Sequence, residues 1–101
     1  MPRSIDYNKR LLKQLRDPDE AAAYLNAVLA EGDLKLFIKA LGKIAEARGG
    51  MTQLAEKTRV SRMGLYKVFS DRGNPGFATV ESILSAFNLR FSIQPGKAPA
   101  R

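Results

Sequence analysis

The side chains best suited to chemistry lie between residues 52 and 69, where two short helical patterns are joined by a break of about four residues. Arg62, Tyr66 and Lys67 have the spacing that places them on one face of the second helix. Their guanidinium, hydroxyl and ammonium groups donate hydrogen bonds, but none is a general base near neutral pH. The pattern therefore predicts a surface that binds hydrogen-bond acceptors.

Several kinds of chemistry are excluded by composition. The chain has no Cys and no His, which removes thiol nucleophiles, imidazole bases, disulfides and the usual zinc ligands. Gly73 and Gly76 lack the spacing and the preceding strand of a phosphate-binding loop. We therefore expect no enzymatic activity, no metal and no cofactor.

The elements around residues 52–69 must hold these donors outward. Apolar side chains fall at the inward positions of the helical pair, namely Leu54, Ala55, Val60, Leu65 and Val68. Ser61 can cap the second helix by accepting from backbone N–H groups two or three residues later. This is the spacing of a helix-turn-helix, whose second helix enters the major groove of DNA, although the apolar positions alone would fit any helical hairpin.

Two longer helices precede this motif. Asp17 and Pro18 predict an N-cap and a first helical residue, and Glu20 completes a capping box. This helix should end at Gly32, where Asp33 caps the next helix, which should end at Gly49-Gly50.

A fifth helix is predicted from Phe77 to Phe87, followed by a strand over 89–94. The aromatic residues at inward helical positions are expected in the core: Phe37, Phe69, Phe77 and Phe87. The strand is predicted because Leu89, Phe91 and Ile93 alternate with polar residues. A lone strand needs a partner, which predicts an antiparallel homodimer through these three residues or, alternatively, pairing with the segment 5–7.

The expected fold class is all-α, with five helices and a short C-terminal β-strand. Residues 1–16 should form a partly ordered N-terminal arm, 17–94 the domain with its motif at 52–69, and 95–101 a disordered tail. No apolar run approaches the roughly 20 residues that span a bilayer, and the first residues lack the apolar centre of a secretory signal. A cytoplasmic protein without a membrane partner is expected.

Charge is unevenly distributed. The net charge is +7, yet residues 17–34 contain five acidic residues and no basic one. A basic protein with one acidic block fits two partners of different charge, one of them a polyanion. Helix capping also accounts for most of this block, because acidic groups are stabilised at helix N-termini.

Two longer motifs carry a resemblance. Residues 61–75, SRMGLYKVFSDRGNP, and residues 21–33, AAAYLNAVLAEGD, are similar to the HigA-like addiction-module antidote proteins of the lambda-repressor-like (XRE) class. The resemblance covers residues 17–94 and implies a lambda-repressor-like fold. It also implies a type II antitoxin that binds a RelE/ParE-like toxin directly and represses its own operon as a homodimer on double-stranded DNA, at a palindromic operator.

The resemblance assigns residues to each of these roles. The DNA-binding positions are Thr52, Gln53, Ser61, Arg62, Met63, Tyr66, Lys67 and Arg72. The acidic residues that could meet a basic toxin are Asp17, Asp19 and Glu20. The alternatives are a phage-type or other repressor without a toxin, and a toxin-binding module that has lost operator recognition.

Four positions depart from the family pattern. Arg59 replaces the usual turn glycine, which predicts a strained left-handed residue. Asn88 stands where glycine usually follows the last helix, and Asn tolerates that conformation. Met63-Gly64 replaces a polar pair at the start of the recognition helix, which predicts a different operator sequence.

Overall fold

The computed structural model describes residues 3–96 and contains six α-helices in that range. They are α1 (Arg3–Gln14), α2 (Pro18–Ala30), α3 (Leu34–Ala47), α4 (Gly50–Lys57), α5 (Arg62–Val68) and α6 (Phe77–Ala86). No strand occurs within these residues. The prediction of five helices with a C-terminal β-strand is therefore wrong in both helix number and strand. Residues 97–101 of the predicted tail lie outside the described range.

The additional helix α1 occupies the segment that was expected to be an arm. Two of its apolar side chains, Leu11 and Leu12, pack against the core. Leu15, directly after the helix, is almost completely buried. Asn8 Oδ1 accepts a hydrogen bond from Lys43 Nζ at 2.8 Å, which ties α1 to α3. The helix α1 could not be recognised in the sequence because its few apolar residues do not reveal a helical period.

The caps of α2 and α3 form where the sequence predicts them. Asp17 Oδ1 accepts from the Asp19 backbone N at 2.8 Å, and Asp33 Oδ1 accepts from the Leu36 backbone N at 3.0 Å. The reciprocal half of the predicted capping box is missing, since Glu20 Oε1 accepts from Gln14 Nε2 at 2.8 Å instead. The N-caps are thus confirmed, while Glu20 links α2 to α1.

The core is built around α3, which packs against α1, α2 and α4. Leu41 and Ile44 of α3 are fully buried. The other buried side chains are Leu15, Ala21, Leu25, Phe37, Ala40, Ala45, Ala47, Leu54, Leu65, Val68, Val80, Ile83, Leu84 and Phe87. Every described helix, or the residue that ends it, therefore contributes to one apolar cluster.

Arg48 joins three helix ends. Its Nε donates to the Leu15 carbonyl oxygen at 3.4 Å, and its Nη1 donates to the Phe87 carbonyl oxygen at 3.0 Å. Its guanidinium carbon also lies 5.8 Å from the centre of the Phe87 ring. One side chain at the end of α3 thus satisfies carbonyl groups at the ends of α1 and α6, which would otherwise lack helical partners.

The end of α6 explains why residues 89–94 are not a strand. Asn88 has φ 63°, and the backbone N–H groups of Asn88 and Leu89 donate to the carbonyls of Ser85 and Leu84 at 3.0 and 2.9 Å. This is the Schellman pattern of helix termination, with Asn at the left-handed position as expected. It turns Leu89 onto the core, so the apolar alternation reflects packing against helices.

Within residues 3–96, no helix combines the length and the apolar character that crossing a bilayer requires.

Candidate nucleic-acid interface

The helices α4 and α5 form a tight pair whose inner side is apolar. Leu54, Leu65 and Val68 are buried, and Val60 of the connecting residues 58–61 is half-buried. Thr58 Oγ1 accepts from the Val60 backbone N at 3.2 Å and tightens the connection. The inward positions predicted from the sequence are therefore confirmed.

The connection between α4 and α5 contains no left-handed residue. Among the described residues, Asn88 is the one non-glycine residue with positive φ. The prediction that Arg59 is left-handed is wrong, because the Thr58 side chain closes the turn with ordinary backbone conformations.

Ser61 and Gly64 form the start of α5. Ser61 Oγ accepts from the Gly64 backbone N at 3.0 Å, which confirms the predicted cap. A Cβ at Gly64 would lie 3.0 Å from Val60 Cγ1 and 3.2 Å from Ser61 Oγ. Gly64 therefore leaves room for the cap and the connecting residues.

The outward face of α5 brings together four predicted recognition residues. Met63 is 74% exposed and Tyr66 is 54% exposed, and Arg62 and Lys67 are also exposed. The Arg62 guanidinium carbon lies 6.0 Å from the centre of the Tyr66 ring. This face offers hydrogen-bond donors, positive charge and one apolar side chain.

Thr52 and Gln53 are exposed in the first turn of α4. The N-cap of this helix is Gly49, with φ 107° and no side-chain cap. The Gln53 side chain folds back over Gly49, where a Cβ would collide with it. The first N–H groups of α4 are thus left without a side-chain acceptor, and they can donate hydrogen bonds to an anion such as a phosphate.

The segment between α5 and α6 presents Arg72, which is exposed. Ser70 Oγ donates to the Lys67 carbonyl oxygen at 2.7 Å, and the Gly73 backbone N donates to the Ser70 carbonyl oxygen at 3.0 Å. A Cβ at Gly73 would collide with the Val68 carbonyl oxygen. This close approach folds the segment directly beneath the end of α5.

Two lysines of α3 were missed as site residues. Lys35 and Lys39 line a groove together with residues 69–71 and 73, and Lys35 Nζ donates to the Asp71 carbonyl oxygen at 3.3 Å. Their spacing of four residues, which places two side chains on the same face of a helix, could have identified them in the sequence. The next lysine of that series, Lys43, instead contacts Asn8 and Glu46.

The acidic residues of α2 have different surroundings. The Asp17 carboxylate is used as a cap. Asp19 and Glu20 are exposed in the first turn. Of the predicted toxin-binding residues, these two have carboxylates that are not used as helix caps.

The aromatic and apolar residues near the C-terminal end differ from expectation. Phe77 was expected in the core but is 67% exposed, because it is the first residue of α6 and stacks on Phe91 with 5.1 Å between ring centres. Leu89 and Phe91 are half-buried against the core, whereas Ile93 is 97% exposed. The three predicted dimerisation residues therefore do not share one face.

Among the described residues, no group of three or more acidic side chains is arranged so that it could hold a metal ion. Partial burial, with Tyr7 nearby, raises the pKa of the Tyr24 hydroxyl above its ordinary value, so this group stays neutral at neutral pH.

One comparison with known proteins identifies a family, and a second finds a relative. Residues 7–95 match the family described as "Probable addiction module antidote protein". An uncharacterized protein of Haemophilus influenzae is 44% identical over 85 residues, which cover 84% of this chain and 87% of the relative. No solved structure matches the chain. The match spans nearly the whole described fold, and the chain therefore belongs to the family of probable addiction module antidote proteins.

Proposed function

We propose that this antidote protein is a HigA-like, XRE-type antitoxin with two activities. It neutralises a RelE/ParE-like toxin by direct binding, and it represses its own operon by binding double-stranded DNA as a homodimer. The α4–α5 pair acts as the helix-turn-helix, and α5 is the recognition helix.

The observation that carries the DNA-binding activity is the division of α5 into two faces. Leu65 and Val68 are buried on one side, while Arg62, Met63 and Lys67 are exposed on the other. A helix oriented in this way can enter the major groove while its buried face stays packed against the core. Arg62 can donate two hydrogen bonds to guanine, and Met63 can contact a thymine methyl group.

The surrounding residues supply contacts to phosphates. The uncapped N-terminus of α4 with Thr52 and Gln53, and Arg72 beyond α5, flank the recognition face. Lys35 and Lys39 extend the positive charge along α3. Contacts of this kind fix the register of a protein on DNA, while the α5 side chains read the sequence.

The main alternative is an antidote that binds its toxin but no longer recognises an operator. An exposed Arg62 held beside Tyr66 argues against this alternative. A repressor without a toxin is disfavoured by membership of an antidote family.

Two readouts in the same cells test the proposal. A reporter placed behind the DNA upstream of this gene measures repression, and growth during expression of the neighbouring toxin gene measures neutralisation. Wild-type protein is expected to do both. Arg62→Ala should weaken operator binding by about 1–3 kcal/mol and relax the preference at one base pair, yet it should still restore growth.

Arg16→Ala is the matched control, since it removes another exposed arginine outside the α4–α5 pair. It should retain repression. Titrations by fluorescence anisotropy at one fixed salt concentration supply the affinities. If Arg62→Ala and Lys67→Ala both bind the upstream DNA as wild type does, the assigned recognition face is wrong.

A further inference from the structure

The sulfur atoms of this chain belong to methionine alone. The sequence contains three Met and neither Cys nor Trp, so no thiolate competes with a thioether for an oxidant. Met51 is half-buried and packs against the core, whereas Met63 of α5 is 74% exposed. Met1 lies outside the described residues. Of the two described methionines, Met63 therefore has the side chain that a dissolved oxidant reaches freely.

Met63 also lies among the residues that are proposed to contact DNA. Arg62 precedes it, and Tyr66 and Lys67 follow it by three and four residues, which places them one turn away on the same side of α5. All three neighbours are exposed. A chemical change at Met63 therefore alters this face of α5 and leaves the buried side of the helix in place.

We propose that Met63 is an oxidation site through which peroxide weakens the binding of DNA by α5. The effect on DNA binding rests on the proposed repressor function, whereas the oxidation itself does not. The thioether sulfur attacks one oxygen of hydrogen peroxide, and a sulfur–oxygen bond forms as the oxygen–oxygen bond breaks. The proton of the attacked oxygen passes to the departing hydroxide, which leaves as water. Sulfur loses two electrons and peroxide gains them, and the product is the sulfoxide.

The sulfoxide changes what Met63 offers to the major groove. The thioether is apolar and can contact a thymine methyl group, whereas the sulfoxide is polar and its oxygen accepts hydrogen bonds. Purines present an acceptor at N7 in that groove, and thymine presents one at O4, so acceptor would face acceptor. Lys67, one turn further on, can donate to the new oxygen instead of to DNA. Oxidation is therefore expected to relieve repression, and reduction of the sulfoxide to restore it.

The first test measures oxidation alone, without DNA or toxin. Trypsin cleaves after Lys and Arg, so each methionine falls in its own peptide: residues 1–3, 49–57 and 63–67. In a time course with hydrogen peroxide, mass spectrometry should show oxygen added to 63–67 roughly tenfold faster than to 49–57, because susceptibility follows exposure. Equal rates in these two peptides overturn the proposal.

The second test measures affinity for the DNA upstream of this gene, by fluorescence anisotropy at one salt concentration, before and after peroxide treatment. Oxidised wild type should bind about fivefold or more weakly, which is the loss that a mismatch at one base pair causes. Its circular dichroism should not change, because Met63 is outside the core. Methionine sulfoxide reductases should restore both the original mass and the original affinity.

Each variant is compared with itself before and after peroxide, so its starting affinity does not enter the result. Met63→Leu has no sulfur at this position and should show no change. Met51→Leu is the matched control, an apolar replacement at the half-buried methionine, and it should lose affinity as wild type does. Met63→Gln carries a polar group permanently and should bind the DNA weakly even without peroxide.

The outcomes separate this inference from the repressor function. Untreated protein that does not bind the upstream DNA contradicts the repressor function, and the effect of oxidation falls with it. Protein that binds equally well before and after oxidation of Met63 overturns the inference and leaves the repressor function intact. A loss of affinity in treated Met63→Leu as large as in wild type also overturns the inference, because it assigns the damage to another residue.

Discussion

At the scale of single residues, Arg62 and Tyr66 show how a proposed recognition side chain can be oriented before binding. The guanidinium lies 6.0 Å from the ring centre, a contact of roughly 0.5–1 kcal/mol at an exposed site. A side chain already held in this way loses less conformational entropy when it forms a bidentate contact. In the proposed complex, Tyr66 therefore supports Arg62 as well as offering its own hydroxyl.

Arg59 gives a stability prediction that is opposite to the one made from the family pattern. Since Arg59 does not have positive φ, glycine there relieves no strain and adds freedom to the unfolded chain. Arg59→Gly should lower the free energy of unfolding by about 0.4–1 kcal/mol. A urea denaturation midpoint measured for both proteins checks this, and a higher midpoint in the glycine variant would contradict it.

At the scale of elements, the short helices depend on their ends and their buried sides. The helix α5 has seven residues, too few to be stable alone in water. It forms because Ser61 caps it and because Leu65 and Val68 are buried. Gly73 then permits the following segment to pass close to its last carbonyl groups.

The end of α6 offers a second prediction. Asn88 is left-handed with φ 63°, a conformation that costs a residue with a Cβ roughly 1–2 kcal/mol and that Asn tolerates best. Asn88→Ala should lower the free energy of unfolding by about 1 kcal/mol, measured by chemical denaturation. Asn88→Gly is the control at the same position and should be no less stable than wild type; equal losses in both variants would instead assign the effect to the Asn side chain.

At the scale of the whole molecule, the basic groups of α5 and the acidic groups at the start of α2 lie on different elements. The exposed basic groups of α5 and the α5–α6 segment include Arg62, Lys67 and Arg72, whereas Asp19 and Glu20 lie at the start of α2. Two partners of opposite charge can therefore bind different parts of the chain. In the proposed antitoxin, this separation would let toxin and operator bind at the same time.

The acidic start of α2 yields a prediction about toxin binding. If the toxin is basic, Asp19→Asn/Glu20→Gln should weaken its binding several-fold, mainly through a slower association rate that depends on salt. Glu46→Gln/Glu56→Gln removes the same charge from other exposed positions and is the control. Surface plasmon resonance at two salt concentrations measures both; equal effects of the two double variants would exclude a specific acidic site.

Features that depend on neighbouring residues could be predicted from the sequence. The caps at Asp17, Asp33 and Ser61 follow from side chains that reach a backbone N–H only two or three residues away. The inward positions of α5 follow from the helical period, and so does the exposure of Arg62 and Lys67. The candidate recognition face was therefore available from sequence, although its role in binding DNA stays a prediction.

Features that depend on distant contacts were decided by the tertiary structure. The apolar alternation of residues 89–94 resembles a strand, but a strand exists only where a partner supplies hydrogen bonds, and helix packing takes up Leu89 and Phe91 instead. The helical period places Phe77 on the inner side of α6, yet at the first residue of that helix nothing covers it except Phe91. Lys35 and Lys39 come to lie beside the residues that follow α5 because α3 packs there. Sequence period determines which side of an element is apolar, and only the assembled fold determines what lies against it.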